Sequence, residues 1–158
     1  MTAPARDSAP VELFISYSHK DEPLREQLGT HLGLLKRQGI IDEWHDRRIG
    51  AGREWAGEID RRLDCAAVIL LLVSADFLAS DYCYCVEMSR ALERHDAGDA
   101  RVVPVILRPV DWHGAPFAKL QALPKDGKAV TSWRKRDEAF TDVARGIRKV
   151  VEEFRSRP

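Results

Sequence analysis

Glu87 is the side chain best placed to do chemistry in this sequence. It follows the apolar run Ala67–Val73 and the polar stretch Ser80-Asp81-Tyr82-Cys83-Tyr84-Cys85-Val86. Seven apolar residues without alternation read as a strand buried on both faces, as in the middle of a parallel sheet. Ligands of open α/β sheets bind beyond the carboxyl ends of the strands, and Glu87 falls in the helix that begins there. Its plainer role would be a solvated helix glutamate paired with Arg90 or Arg94, worth about 0.2–0.5 kcal/mol. Ser16, Tyr17 and Ser18 end an earlier apolar run and offer hydroxyls and backbone donors to a ligand, or else form a hydroxyl-stabilised turn ahead of Asp21. Arg47, Arg48 and Arg53 surround Gly50 and Gly52. Such a basic loop suits an anion or a neighbouring acidic surface, or is simply a solvated connection. Cys83 and Cys85 read as small buried or half-buried thiols, since no histidine is placed to activate either. No G-x-G-x-x-G is present, so hydride-transfer chemistry on a Rossmann site has no support.

The elements that would position these residues alternate regularly. Val11–Ser16 is an apolar strand; Asp21 can cap a helix with Pro23 in its first turn, striped by Leu24, Leu28, Leu32 and Leu35. Gly39 ends that helix and Ile40–Trp44 forms the second strand. Trp55, Ile59 and Leu63 stripe the next helix, Ala67–Val73 is the third strand, and a helix is predicted over about 81–95. Arg101–Leu107 is the fourth strand, with Pro104 marking a bulge or an unpaired edge. After an irregular segment over 108–127, Lys128–Thr131 reads as a weak fifth strand. Phe140, Val143, Ala144, Ile147, Val150, Val151 and Phe154 stripe the last helix. The pattern predicts a three-layer, flavodoxin-like α/β/α fold with a five-stranded parallel sheet in the order 2-1-3-4-5. The expected organisation is a disordered tail over 1–10 and one domain over 11–155.

Composition narrows the classes. The 158 residues suffice for one hydrophobic core, and Lys plus Arg equal Asp plus Glu at 25 each, which gives no global field towards nucleic acid or a membrane. His19, His31, His45, His95 and His113 lack metal-ligand spacing, so no metal is expected. Three cysteines suggest reduced thiols. The first ten residues have no apolar core or basic leader, and no run approaches the ~20 apolar residues of a membrane span. A cytoplasmic location is the expectation.

Five motifs in order carry a resemblance: Phe14-Ile15-Ser16-Tyr17-Ser18; Gly50-Ala51-Gly52 with Trp55; Leu71-Leu72-Val73-Ser74; Ser80-Asp81-Tyr82 with Glu87; and Val103-Pro104-Val105 with Trp112. Together they resemble a TIR (Toll/interleukin-1 receptor-like) domain of the bacterial, NAD+-hydrolysing type, over about residues 11–155. The resemblance implies Glu87 as the catalytic residue. It implies NAD+ as substrate, not as cofactor, held by Phe14, Ser16, Tyr17, Ser18, Asp46, Arg53, Tyr82, Cys83, Tyr84 and Trp112. Trp112 stacks on adenine in this reading, or packs beneath the segment that follows it. The resemblance also implies self-association through Arg47, Arg48, Ile49, Gly50, Ala51 and Gly52, with filaments as one outcome, and sensor or ATPase modules in a longer chain serving antiphage defence. Enzymatic members often carry a Trp-Cys pair beginning four residues before the glutamate. Cys83 and Tyr84 stand there in this chain, leaving Tyr82 or Tyr84 to supply the aromatic wall.

One carboxylate suits that substrate. O-glycoside hydrolysis ordinarily takes two carboxyl groups because the alkoxide leaving group must be protonated. The nicotinamide of NAD+ is already a cationic pyridinium and leaves neutral. What remains is stabilising an oxocarbenium-like ribose, which a single carboxylate can do. The competing expectation is a non-catalytic adaptor that recruits other TIR domains. A phosphoryl receiver would need an aspartate ending the third strand, where Ser74 stands.

Overall fold

Val68–Val73 is a strand in which all six side chains are buried, so both of its faces need cover and both of its edges need a partner. The computed structural model describes residues 9–45 and 55–156, without the side chains of Trp55, Ala56 and Tyr82. The strands β1 (Val11–Ser16), β2 (Ile41–Trp44), β3 (Val68–Val73) and β4 (Arg101–Ile106) form a parallel sheet in the order β2-β1-β3-β4. Ser16, the last residue of β1, stands level with Leu71 of β3.

Alternation along each strand divides the core in two. Leu13, Ile15, Leu70 and Leu72 pack with the leucine stripe of α1 (Glu22–His31) and α2 (Gly33–Arg37), and with Phe140, Val143, Ile147 and Val151 of α6 (Arg136–Arg155). Phe14, Ile69, Leu71 and Val73 pack on the other face. There they meet Ile59 and Leu63 of α3 (Trp55–Cys65), Phe77 of α4 (Ala75–Ala79) and Ala91 of α5 (Ser89–Asp96). Gly39 takes φ +71° just beyond α2, the left-handed conformation that lets the chain turn into β2.

Two sequence expectations need correction. The helix foreseen over about 81–95 runs unbroken to Asp96, but its Tyr82–Met88 stretch is π-helical and passes directly into α5. Its buried positions Cys83, Glu87 and Met88 lie four and five residues apart, a spacing that the wider π turn keeps on one side. The five-stranded sheet is also four-stranded among the described residues. In place of a fifth strand over 128–131, the chain makes a 3₁₀ turn at Val130–Ser132. That turn closes on itself through Ser132 N–H to Ala129 O and Trp133 N–H to Val130 O, leaving Thr131 N–H to Leu107 O as its link beyond β4.

β4 is therefore an edge, and it is closed. Arg101 N–H bonds towards β3, so Val102, Pro104 and Ile106 direct their backbone outwards. The Val102 N–H donates to His95 Nδ1 at 3.1 Å, Pro104 has no N–H, and Ile106 N–H donates to Leu123 O at 2.8 Å. The edge position foreseen for Pro104 is borne out.

Leu70→Ala in the middle of β3 should cost about 2–5 kcal/mol of stability, read as a lower urea midpoint at unchanged slope. A loss under about 1 kcal/mol would contradict burial of the strand's face towards α1 and α6.

Candidate functional site

Ser16 and Phe14 share one face of β1 because side chains alternate along a strand. That face turns towards the π-helical segment, and at the carboxyl end of the sheet Ser16 Oγ donates to Glu87 Oε1 at 2.5 Å. Both are out of water, Ser16 at 1% and Glu87 at 5% exposure. The solvated-glutamate alternative does not hold. Arg90 instead engages Asp64 through two bonds of 2.7 and 2.6 Å, and Arg94 donates to the carbonyls of Leu63, Ala66 and Asp99. The hydrogen bond from Arg90 holds the Asp64 carboxyl below its ordinary range.

The neighbours of this pair are tied down in turn. Cys83, buried one turn before Glu87, donates its S–H to Tyr17 O at 3.5 Å, joining the π segment to the β1 exit a second time. Tyr17 itself is buried and donates its hydroxyl to Glu22 at 2.7 Å, under the Arg25 guanidinium. Ser18 caps the short 3₁₀ turn His19–Asp21 by accepting from Lys20 N–H, the turn role foreseen as its alternative. Phe14 lies in the core, stacked on Trp44 with centroids 5.4 Å apart. Trp112 takes the packing alternative: it stacks on Phe117 at 6.2 Å and lies against Gly127, where φ is +68° and a Cβ would sit 3.3 Å from the indole. Tyr84 packs half-buried on the same face of the sheet as Phe77 and Met88. Cys85 is exposed, contrary to the expectation of a buried or half-buried thiol. The structure thus brings together Ser16, Tyr17, Cys83 and Glu87. It places Phe14 and Trp112 in packing roles. Asp46, Arg47, Arg48, Ile49, Gly50, Ala51, Gly52, Arg53 and the Tyr82 side chain lie outside the described residues.

A buried polar cluster beside the site escaped the sequence reading. Asp21 stands at the start of α1 without a side-chain capping bond. Its carboxylate is 2% exposed and instead accepts from Ser74 Oγ and from Arg108. Arg108 also reaches Asp76 at 2.5 Å. Burial opposes the charge on Arg108, but the hydrogen bonds to Asp76 and Asp21 outweigh it and raise its pKa further. The signal was available: Ser74 and Arg108 stand within two residues of the ends of β3 and β4, and parallel strands bring such residues together. Ser74 does double duty, since its Oγ also accepts from Phe77 N–H to cap α4.

Among the described residues, no three His, Cys, Asp or Glu side chains converge as a metal site requires, and no helix is long and apolar enough to cross a membrane.

A family model described as "TIR domain" matches residues 13–143. This chain belongs to the TIR-domain family. It is 58% identical over 139 residues to the uncharacterized protein y4lF of Sinorhizobium fredii (strain NBRC 101917 / NGR234), covering 88% of this chain and 43% of that protein. The chain therefore spans less than half the length of that curated relative. Among solved structures it is similar to the TIR domain of the Toll-related receptor TRR-2 from Hydra magnipapillata. The TM-score there is 0.61 at 18% identity, covering 86% of this chain and 97% of that one. It is also similar to the TIR domains of the activated Roq1 resistosome that directly recognizes the pathogen effector XopQ. That match has a TM-score of 0.53 at 20% identity, covering 85% of this chain and 84% of that one. At those identities the likeness speaks for the TIR fold, in agreement with the β2-β1-β3-β4 sheet.

Arg108→Ala removes the cation from a buried carboxylate and should cost about 1–3 kcal/mol in urea unfolding. Lys20→Ala is the control: its ammonium is 77% exposed and 3.8 Å from Asp76, and its loss should stay within about 0.5 kcal/mol. Equal effects of the two would contradict the clamp.

Proposed function

We propose that this TIR domain cleaves NAD+ at the bond between nicotinamide and ribose, and that Glu87 is the catalytic residue. The observation that carries the reading is the burial of Glu87 at the carboxyl end of the sheet, hydrogen-bonded to Ser16. A carboxylate withdrawn from water exerts a stronger field on a nearby cation than a solvated one. In the reaction, the C1′–N bond breaks with its electron pair passing to the pyridinium nitrogen, and neutral nicotinamide departs. Positive charge grows on the ribose, and Glu87 stabilises it. Water then attacks the anomeric carbon and loses a proton, giving ADP-ribose. Attack by an adenine or ribose atom of the same molecule would give a cyclic isomer instead. Ser16 holds the carboxylate in position, and neither a metal nor a resident cofactor takes part.

Self-association through residues 47–52 gates the reaction in this proposal, each loop docking on the next subunit. Such a contact is heterologous and builds open filaments. The setting is bacterial immune signalling in the cytoplasm, with sensor or ATPase modules in a longer chain. That the chain spans 43% of its Sinorhizobium relative supports the last point. A second reading, an adaptor acting through TIR–TIR contacts without catalysis, draws on Cys83 and Tyr84 standing where enzymatic members often carry Trp-Cys.

Nicotinamide release measured against protein concentration separates the two readings. The enzyme should show specific activity rising steeply with concentration, and Glu87→Gln should lower it at least about 100-fold while unfolding is unchanged. Equal turnover by Glu87→Gln removes Glu87 from the mechanism, and no release at filament-forming concentrations leaves the adaptor. Gly52→Pro fixes φ in the loop and should abolish both filaments and turnover with the fold intact. Normal assembly, judged by electron microscopy and light scattering, would count against a docking role for that loop.

A further inference from the structure

A cavity of about 460 Å³ opens along the outer edge of β4, at its amino-terminal half, at the opposite end of the sheet from Glu87. Its volume falls in the range of about 300–1,000 Å³ typical of small-molecule sites. Val102, Val103, Leu123 and Val150 supply an apolar floor, and Arg101, Lys119 and Lys149 bring three cations to its lining.

The backbone at this edge narrows the kind of occupant. A peptide adding as a strand needs unpaired N–H groups. Here Val102 N–H is taken by His95, Pro104 has none, and Ile106 N–H is taken by Leu123. Recognition must therefore come from side chains. His95 lines the cavity, and because its Nδ1 accepts from a backbone N–H, the proton of the neutral ring sits on Nε2. That leaves one ring donor for an occupant.

Charge narrows it further. Arg101 is paired with Glu153 at 3.1 Å and Lys119 with Asp96 at 3.7 Å. Lys149 is exposed and has no acidic partner among the described residues. One unmatched positive charge beside an apolar floor calls for one negative charge on an apolar body. We infer that this cavity is a binding site for a small amphipathic monoanion, an aromatic or branched acyl body bearing a single carboxylate or sulfonate. The inference is independent of any turnover at Glu87.

The test uses the full chain and 8-anilinonaphthalene-1-sulfonate, an aromatic monoanion whose fluorescence reports binding. Its uncharged analogue N-phenyl-1-naphthylamine serves as the comparison. The sulfonate should bind saturably at one site per chain and more tightly than the neutral analogue. Lys149→Glu, at an exposed position without a partner, should weaken the sulfonate by about tenfold and leave the neutral analogue unchanged. Val150→Glu, which puts a charge on the floor, should abolish binding of both. Arg145→Glu makes the same charge reversal on α6 outside the cavity lining and should change neither. Absence of saturable binding, equal affinity in wild type and Lys149→Glu, or an equal loss in Arg145→Glu would each overturn the proposal.

Discussion

No side chain of β3 reaches water, and that constraint organises the molecule. A strand with six apolar residues and no alternation cannot lie at a surface, so helices must cover both sides and other strands must flank both edges. β1 meets the demand on one edge and β4 on the other, while α1 and α6 cover one face and α3 and α5 the second. With both faces apolar, polar chemistry within the core is confined to the strand ends. Ser16 and Ser74, both buried, stand at or just beyond the carboxyl ends of β1 and β3.

Burial at that end is costly unless each group is satisfied. An ionised carboxylate without partners in a dry site costs many kcal/mol, whereas a charge-assisted hydrogen bond returns about 1.5–3. Asp21 therefore collects several donors, from Ser74 and Arg108. The result is mechanical as well as energetic. Backbone ladders hold the strands together along their length, and beyond them side-chain bonds join the exits of β1, β3 and β4. Ser16 and Cys83 then fasten the Glu87 segment to β1 from both ends of one turn. A site carried on strand ends and braced in this way keeps its geometry better than one on a free loop.

The parts of the fold legible in the sequence are those where one physical effect dominates. β1 begins and ends where the apolar run does, the leucine stripe of α1 and α2 is buried as spaced, and Gly39 takes the left-handed turn. Where two effects compete, the reading fails. Lys128–Thr131 has strand-like residues, but a local 3₁₀ turn satisfies its backbone with less chain. Asp21 looks like a cap, yet Arg108, 87 residues away, outbids the helix for its carboxylate. The π turn cannot be read from a period assumed to be 3.6, because it departs from that period. Glu87 was legible from its position after a buried strand. Its donor Ser16 was legible as a candidate at the end of β1, but the bond between them, across 71 residues, was not.

The closed edge of β4 bears on what happens when copies crowd together. Sheets with a bare outer strand recruit one another, and at high local density that recruitment runs on to cross-β aggregates. A proline, an imidazole and a crossing loop leave this strand no donor with which to start. That side of the sheet therefore offers a second chain no ladder to extend, and crowding alone cannot add a strand there.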